Sequence, residues 1–351
     1  MSICQHFSVC GGCVAQDVPP TEYLAQKRAL VVQALARAGV TAAVGAVVET
    51  PRHARRRAAF KIARTAGGIA IGFHAAKSHT IVDMRQCDIL TPGLFDLAQK
   101  LRDRLAPVFH DGEHADLHVT EGDDGFDAAL RWERKRAPDL VAQFARALKG
   151  LSIARLILNG EILLEDAAPT ITLGGVAVKL PPGAFLQPTR AGEAALQGMV
   201  LDLVGKAKNI ADLFSGLGTF ALPLAARAKV HAVEGDKPML DALAAAARNA
   251  KGLKPVTTEV RDLFKAPLTV LELNRFDAVV LDPPRAGAQA QCRMLAASKI
   301  RRIAYVSCDA ATFARDARIL ADAGFAPGIV TPVDQFLFSS HIELVAGFER
   351  K

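Results

Sequence analysis

No apolar run in this 351-residue chain approaches the roughly 18 residues that cross a membrane as a helix. No Lys or Arg precedes Lys27, and three cysteines sit where a secretory signal would need its apolar core. With neither span nor targeting segment, a cytoplasmic location is expected. Six cysteines are too few to staple so long a chain. In a reducing compartment their clustering points to metal or to chemistry. Repeats and low-complexity tracts are also missing, which leaves an ordinary globular protein.

Half of the residues are hydrophobic and 23% are charged, enough apolar material to bury real cores. At about 150 residues per domain the length suggests two domains. The net charge of +7 is only moderately basic, but residues 51–100 hold nine Lys or Arg against three Asp. Arg52, Arg55, Arg56, Arg57 and Lys61 belong to this stretch. It reads either as a surface for phosphates or as a solvated positive face.

Along the chain, residues 23–40 read as an amphipathic helix with Leu24, Leu30, Val31, Leu35 and Ala38 on its apolar face. Residues 47–90 look strand-like, with a turn at Gly67-Gly68, and a helical stretch follows over 92–108. Gly122 to Gly125 reads as a loop. Short apolar runs broken at Asn159-Gly160 and Gly174-Gly175 read as hairpins over 151–178. The pattern changes after about residue 190. Strands are expected at 209–213, 229–233, 256–260, 276–281 and 302–306, with helices at 191–204, 220–228, 238–251 and 311–323. Such alternation means a doubly wound parallel sheet. Strands at 328–336 and 341–348 lack an intervening helix, which implies an antiparallel hairpin at the sheet end. The expected fold is therefore α/β: a C-terminal Rossmann-like domain over 190–351, preceded by an α+β region divided into 1–90 and a β-rich 91–189.

In open α/β sheets ligands bind beyond the carboxyl ends of the strands. Asp212-Leu213-Phe214-Ser215-Gly216-Leu217-Gly218 occupies that place after the first strand of the C-terminal domain. Gly216 and Gly218 permit a tight turn and close approach of backbone to ligand. Two glycines of a three-glycine fingerprint and no phosphate-binding Lys exclude a P-loop and disfavour NAD. Glu234, at the next strand end, can accept ribose hydroxyls. A nucleoside without pyrophosphate fits better, S-adenosylmethionine being the obvious candidate, although any Rossmann-like turn could look the same.

Two further strand ends carry Leu281-Asp282-Pro283-Pro284-Arg285-Ala286-Gly287 and Tyr305-Val306-Ser307-Cys308-Asp309. The prolines hold Asp282 toward the crevice. A lone Cys after a strand is commonly a small buried hydrophobe, but Cys308 shares its edge with Asp282 and the glycine turn. His341-Ile342-Glu343 opens the last strand, so its carboxylate can reach the same crevice as a base. Thiolate, base and methyl donor together suit one reaction. Carbon 5 of uracil becomes nucleophilic only after a thiolate adds to carbon 6. The thiol, with a reference pKa of about 8.5, then needs a polar or cationic setting.

Taken in order, the motifs resemble the RNA 5-methyluridine methyltransferase family, in its iron–sulfur branch acting on large-subunit (23S) ribosomal RNA. The likeness runs from Cys4 to Phe348 through Cys4-x5-Cys10-x2-Cys13, Ser78-His79-x-Ile81-Val82-Asp83 with Cys87, Phe185-Leu186-Gln187, the glycine turn, Glu234-Gly235, Asp282-Pro283-Pro284-Arg285-x-Gly287, Tyr305-Val306-Ser307-Cys308 and His341-Ile342-Glu343. It implies that Cys308 is the nucleophile and Glu343 the base that removes the carbon 5 proton. It places Gln187, Phe214, Gly216, Gly218, Glu234 and Asp282 at S-adenosylmethionine. The transfer-RNA branch of the family lacks the N-terminal cysteines, and a non-catalytic RNA-binding homologue would lack the retained Cys308, Glu343 and Asp282. The chain departs from the family pattern at Thr189 (usually Asn), Ser215 (often Cys), Thr219 (often Asn), and Asp309-Ala310 (usually Asn-Pro). An acid beside Cys308 is expected to raise its pKa unless Arg285 offsets it. With the cysteines coming first, the N-terminal β-barrel RNA-binding domain of many relatives is not expected here.

The spacing of Cys4, Cys10, Cys13 and Cys87 permits tetrahedral zinc or an iron–sulfur cluster, and the resemblance implies a 4Fe-4S cluster. Cys292 matches no motif and reads as structural. Arg55, Arg56, Arg57 and Lys61 are candidates for phosphate contact with RNA, and the uridine must leave any stack to reach Cys308. Neither a membrane nor an obligate protein partner is implied.

Overall fold

A computed structural model describes residues 3–134 and 139–350. The first helix, α1 (Pro20–Arg37), begins with Pro at its first turn and buries Tyr23, Lys27, Val31 and Leu35. These lie four residues apart and form one stripe. The apolar pattern named Val31 and Leu35 of this stripe but also Leu30, which is 39% exposed, and gave no sign that the cation Lys27 lies inside. Val31 and Leu35 pack into the core of the C-terminal sheet, and β1 (Val48–Glu49) joins that sheet as an edge strand. Residues 20–49 thus belong physically to the C-terminal half, not to the N-terminal region in which the sequence pattern placed them.

The N-terminal half is built on β2 (Arg57–Thr65), β3 (Gly68–His74), β4 (Ile81–Asp83), α2 (Pro92–Leu105), β5 (His114–Glu121), β6 (Phe126–Trp132), α3 (Leu140–Leu148), β7 (Ile153–Leu158) and β8 (Glu161–Glu165). Among the described residues the strand order is β4-β3-β2-β5-β6-β7-β8, antiparallel except for β6 and β7. Alternation in β2 turns Ala58, Phe60 and Ile62 inward. They meet Leu94, Leu97 and Leu101 of α2, whose N-cap Thr91 accepts the Leu94 N–H. A buried bidentate pair, Arg155 to both oxygens of Asp127 at 2.8 Å, ties β7 to β6. The hairpin β9 (Thr170–Leu173) and β10 (Val176–Lys179) turns at Gly174-Gly175, as expected, but its Ile171, Leu173 and Val178 pack on the C-terminal core. A Cβ on Gly174 would lie 2.7 Å from the Pro223 nitrogen, so the small turn residue lets the hairpin seat there.

The C-terminal half runs α4 (Arg190–Val204), β11 (Asn209–Leu213), α5 (Ala221–Ala225), β12 (Lys229–Glu234), α6 (Lys237–Asn249), β13 (Val256–Val260), α7 (Val270–Leu273), β14 (Ala278–Leu281), α8 (Gln289–Ala297), β15 (Arg302–Ser307), α9 (Ala310–Asp322), β16 (Ala326–Pro327), β17 (Thr331–Asp334) and β18 (Glu343–Glu349). The described strands order as β1-β17-β18-β15-β14-β11-β12-β13, with β16 beside β18. Strands β11 to β15 are parallel and buried on both faces where the sheet is central, hence their continuous apolar runs. The strand order reverses between β11 and β14, which opens a crevice at their carboxyl ends. The expected antiparallel hairpin is β17 and β18, and β1 lies outside it. No helix among the described residues is long and apolar enough to cross a membrane.

Candidate active site

Register brings the site together. Leu213 pairs with Val233 and with Leu281, and Leu281 pairs with Tyr305. Phe214, Glu234, Asp282 and Cys308 therefore all leave the sheet at one edge. Strand β18 returns the other way with Leu344 opposite Ser307. Glu343 thus enters the sheet beside the point where Cys308 leaves it.

The glycine turn is bent in the left-handed region at Gly216 (φ 52°) and Gly218 (φ 90°), and also at Phe214 (φ 62°). For a side chain as large as Phe that conformation costs on the order of 1–2 kcal/mol, a strain that clusters at functional sites. At Gly218 a Cβ would stand 2.4 Å from Leu243 Cδ1, so the turn can pack against α6 only with glycine there. The Gly216 N–H donates to Glu234 Oε2 at 3.0 Å, while Glu234 Oε1 accepts from Gly235 and Asp236 at 2.7 and 2.9 Å. One Glu234 oxygen is thus filled by backbone, and Oε2 keeps a lone pair for an incoming hydroxyl.

The edge is unusually acidic and dry. Burial pushes Asp282 up to about 7, opposed by the Gln187 amide that donates to it at 3.2 Å. Burial, then the charge of Asp282, lifts Glu343 well above the carboxylate range. Asp212, fully enclosed in β11, is raised by burial and then by Asp282. The Ala221 N–H approaches Asp212 without a regular bond, so neither carboxylate oxygen has a partner. Ser215 Oγ and Gln335 Oε1 are likewise buried and unpartnered. Gln335 donates to Gln187 Oε1 at 2.9 Å, which extends the chain Gln335–Gln187–Asp282 from β17 across the edge. Orphaned buried polar atoms in this number mark a place made for a polar ligand.

Cys308 is raised to about 11 by burial, then by Glu343 and Asp282, while Arg285 lowers it. The expected pressure from Asp309 has a different outlet. Its carboxylate caps α9, accepting the Ala311 and Thr312 N–H groups at 3.0 and 2.9 Å. Thr189 also serves as a cap, taking the Gly192 N–H of α4 at 3.0 Å, a task Asn performs as well. Two of the four departures are therefore substitutions between residues that cap helices.

A family model described as tRNA (uracil-5-)-methyltransferase matches residues 171–351. An uncharacterized RNA methyltransferase of Rhizobium meliloti (strain 1021) is 46% identical over 99% of this chain and 85% of its own length. The 23S rRNA (uracil(1939)-C(5))-methyltransferase RlmD of Halomonas elongata is 32% identical over 97% of this chain and 74% of its own. The chain belongs to the RNA 5-methyluridine methyltransferase family. Among solved structures, the Pyrococcus abyssi tRNA (uracil-54, C5)-methyltransferase in complex with S-adenosyl-L-homocysteine superposes with a TM-score of 0.75. It covers 96% of this chain and 85% of that one at 22% identity, a likeness of fold.

In this methyltransferase Cys4, Cys10, Cys13 and Cys87 line one cavity of about 480 Å³, shared with Arg55, Arg285, Phe336 and His341. Burial raises Cys10 and Cys87, and Cys13 to about 12, with the neighbouring thiols adding to each rise. Among the described residues no group of three or more His, Cys, Asp or Glu is set to hold a single metal ion. Cys292 is wholly buried in the C-terminal core.

The basic candidates separate. Arg56 is only 1% exposed, pairs with Glu193 at 2.6 Å and donates to the Gln187 carbonyl at 3.0 Å. It ties the backbone at Gln187 to α4 and is closed to phosphate, which corrects the expectation for it. Lys61 holds Asp116 at 2.6 Å on the half-exposed face of β2. Arg57 lies over the exposed Phe185 ring at 4.5 Å, and Arg55 over Phe336 at 5.9 Å, facing the cavity. The sequence motifs named most of this site but missed Gln335, for which a single polar residue after an apolar strand gives no signal. Asp212 was legible in principle, as an acid within a strand otherwise buried on both faces.

Proposed function

We propose that this methyltransferase transfers the methyl group of S-adenosylmethionine to carbon 5 of a uridine in 23S ribosomal RNA, through a covalent bond from Cys308 to carbon 6. The observation that carries the reading is the β15–β18 register, which opposes a thiol and a buried carboxylate beside Asp282 at the cofactor edge. The RlmD relative supports ribosomal RNA as the substrate. S-adenosylmethionine supplies an electrophilic methyl on a cationic sulfonium, which suits an edge holding Asp212, Glu234, Asp282 and an unpartnered Ser215 hydroxyl. Gly216 and Gly218 let the backbone close on it.

The Cys308 thiolate, favoured by Arg285, forms the bond to carbon 6, and the ring electrons move onto the carbonyl as an enolate. Carbon 5 takes the methyl group as the sulfonium–methyl bond breaks, so that S-adenosylhomocysteine leaves. Glu343 then removes the carbon 5 proton, the ring double bond re-forms, and the carbon 6–sulfur bond breaks to release the thiolate. Glu343 must be ionised at that moment. Because it shares a dry pocket with Asp282, the two hold protons as a pair. RNA is taken to reach the edge past Arg55, Arg285 and Phe336, where a flipped base finds cation and ring together.

The four cysteines are proposed to hold a 4Fe-4S cluster. The reading is supported by the spacing of Cys4, Cys10, Cys13 and Cys87 and by their place on one cavity; among the described residues no group is arranged to hold a metal ion. Iron and acid-labile sulfide in anaerobically purified protein, lost in Cys10→Ser, test it.

The activity is tested by offering undermodified 23S ribosomal RNA and transfer RNA separately with labelled S-adenosylmethionine, followed by nucleoside mass spectrometry. 5-Methyluridine in ribosomal RNA only, and none with Cys308→Ala, is expected. Product in transfer RNA alone reassigns the substrate, and binding of cofactor without product from either RNA makes the chain a non-catalytic homologue.

A further inference from the structure

Outside the reacting groups, a densely bonded polar cluster is buried under α1. Lys27 is 2% exposed and Asp334 is 1% exposed. An ammonium has three protons to donate, and Lys27 uses them on Asp334 Oδ1 at 2.8 Å, the Phe336 carbonyl at 3.1 Å and the His341 carbonyl. The second Asp334 oxygen accepts the Tyr23 hydroxyl, which itself accepts the Phe338 N–H at 2.8 Å. Thr50 donates to the Asp334 carbonyl at 2.6 Å. The end of β17 at 334, and positions 336, 338 and 341 of the short connection that follows, are thus tied to a helix some 300 residues away in sequence.

That connection, residues 335–342, joins β17 to β18, and both of its arms end at the reacting edge. At one end Gln335 bonds Gln187, which bonds Asp282. At the other, His341 lies against the Arg285 guanidinium, 3.2 Å from ring nitrogen to Nη2, and Glu343 follows two residues later. Lys27 itself touches none of the proposed catalytic groups. A buried pair of this kind is weak evidence for stability, because desolvation offsets most of the attraction. What it supplies is geometry: two carbonyls pointing at one cation can be satisfied only when the loop is closed.

We propose that Lys27 is a positioning residue for methyl transfer, closing the 335–342 loop so that Glu343 is held where it can take the carbon 5 proton. The inference rests on the uridine-C5 reading above. A displacement of the base by about 1 Å slows the step it performs by on the order of 10²-fold. It leaves attack by Cys308 largely intact, so a covalent RNA–protein adduct accumulates on ordinary uridine.

Lys27→Met alone would strand the buried Asp334 charge, so the test uses Lys27→Met/Asp334→Asn, which removes both. Tyr23→Phe is a milder second lesion in the same clamp. Turnover, KM for RNA, and the denaturant-resistant RNA adduct are measured per folded molecule. Expected are a kcat roughly 10- to 100-fold lower, KM within about threefold, and an adduct that builds up in both variants, less in Tyr23→Phe. Adduct and product falling in proportion, or an unchanged kcat, overturns the proposal. Absence of both adduct and 5-methyluridine with the unaltered protein would instead sink the uridine-C5 reading.

Discussion

The N-terminal sheet and the carboxyl edge of the C-terminal sheet treat buried charge in opposite ways. In the N-terminal sheet Arg155 and Asp127 are enclosed together with two bonds of 2.8 Å, and Arg102 gives three donors to Asp83 and the Met84 carbonyl. At the carboxyl edge of the C-terminal sheet, Asp212 is enclosed with no partner, and Asp282 and Glu343 are crowded in one dry space. Paired charges fix a scaffold. Unpaired ones raise the free energy of the empty site and are relieved when a cationic ligand enters. The same residue types therefore serve architecture in the N-terminal sheet and the proposed chemistry at the reacting edge, and the difference lies in whether the partner is in the chain.

The largest effect should come from the proposed base. Glu343→Gln keeps shape and removes basicity, so turnover is expected to fall on the order of 10²- to 10⁴-fold while adduct with uridine RNA accumulates. Product at the wild-type rate would move the base elsewhere on the edge. The scaffold half is broken by Asp127→Ala, which strands the Arg155 guanidinium and should cost about 3–5 kcal/mol in denaturant unfolding, with activity per folded molecule retained. Asp212→Asn removes a charge that has no partner. It should leave the unliganded protein at least as stable while weakening cofactor binding. Equal destabilisation by the two changes would erase the contrast.

The pH dependence sharpens it further. Asp282 is raised to about 7, so between the ordinary carboxylate range and that value the folded state holds a proton the unfolded chain has released. Stability of the unliganded protein should thus decline as pH rises through that window, and Asp282→Asn should flatten the slope. Activity runs the other way. Protonation of the Asp282–Glu343 pair silences the proposed base, so kcat should rise as pH climbs through the region near 7 where Asp282 ionises, and then level off. A continued tenfold rise per unit toward pH 10 would instead make ionisation of Cys308, near 11 in the free protein, the limiting event.

Much of this was legible in the sequence. The strand at Asn209–Leu213 and the hairpin turns at Asn159-Gly160 and Gly174-Gly175 sit where apolar runs and turn chemistry put them. The site motifs were readable because each follows a strand, and parallel register aligns strand ends. What could not be read was long-range company. Helix α8, between β14 and β15, carries no strong terminal signal: Ala288 precedes it without a side-chain cap. Lys27 and Arg56 look like surface cations, and only tertiary structure supplies the Asp334 and Glu193 that draw them inside. The attachment of α1 and β1 to the distant sheet is of the same kind, since no local pattern names a partner strand.

Asp309 gives the smallest and most discriminating prediction. Its position beside Cys308 suggests an electrostatic burden on the nucleophile, yet its oxygen is engaged by two N–H groups at the start of α9. That places the negative charge against the positive end of a helix, where the field of each offsets the other. If capping is the role, Asp309→Asn keeps the oxygen acceptor and should alter both stability and turnover by no more than about twofold. Asp309→Ala should cost about 1 kcal/mol of stability, with the pH–rate profile unmoved. If charge is the role, Asn and Ala should instead behave alike, both shifting the alkaline limb of the profile downward as the thiol ionises more easily. Comparing the two substitutions therefore decides whether this acid belongs with the paired scaffold charges or with the unpaired charges of the reacting edge.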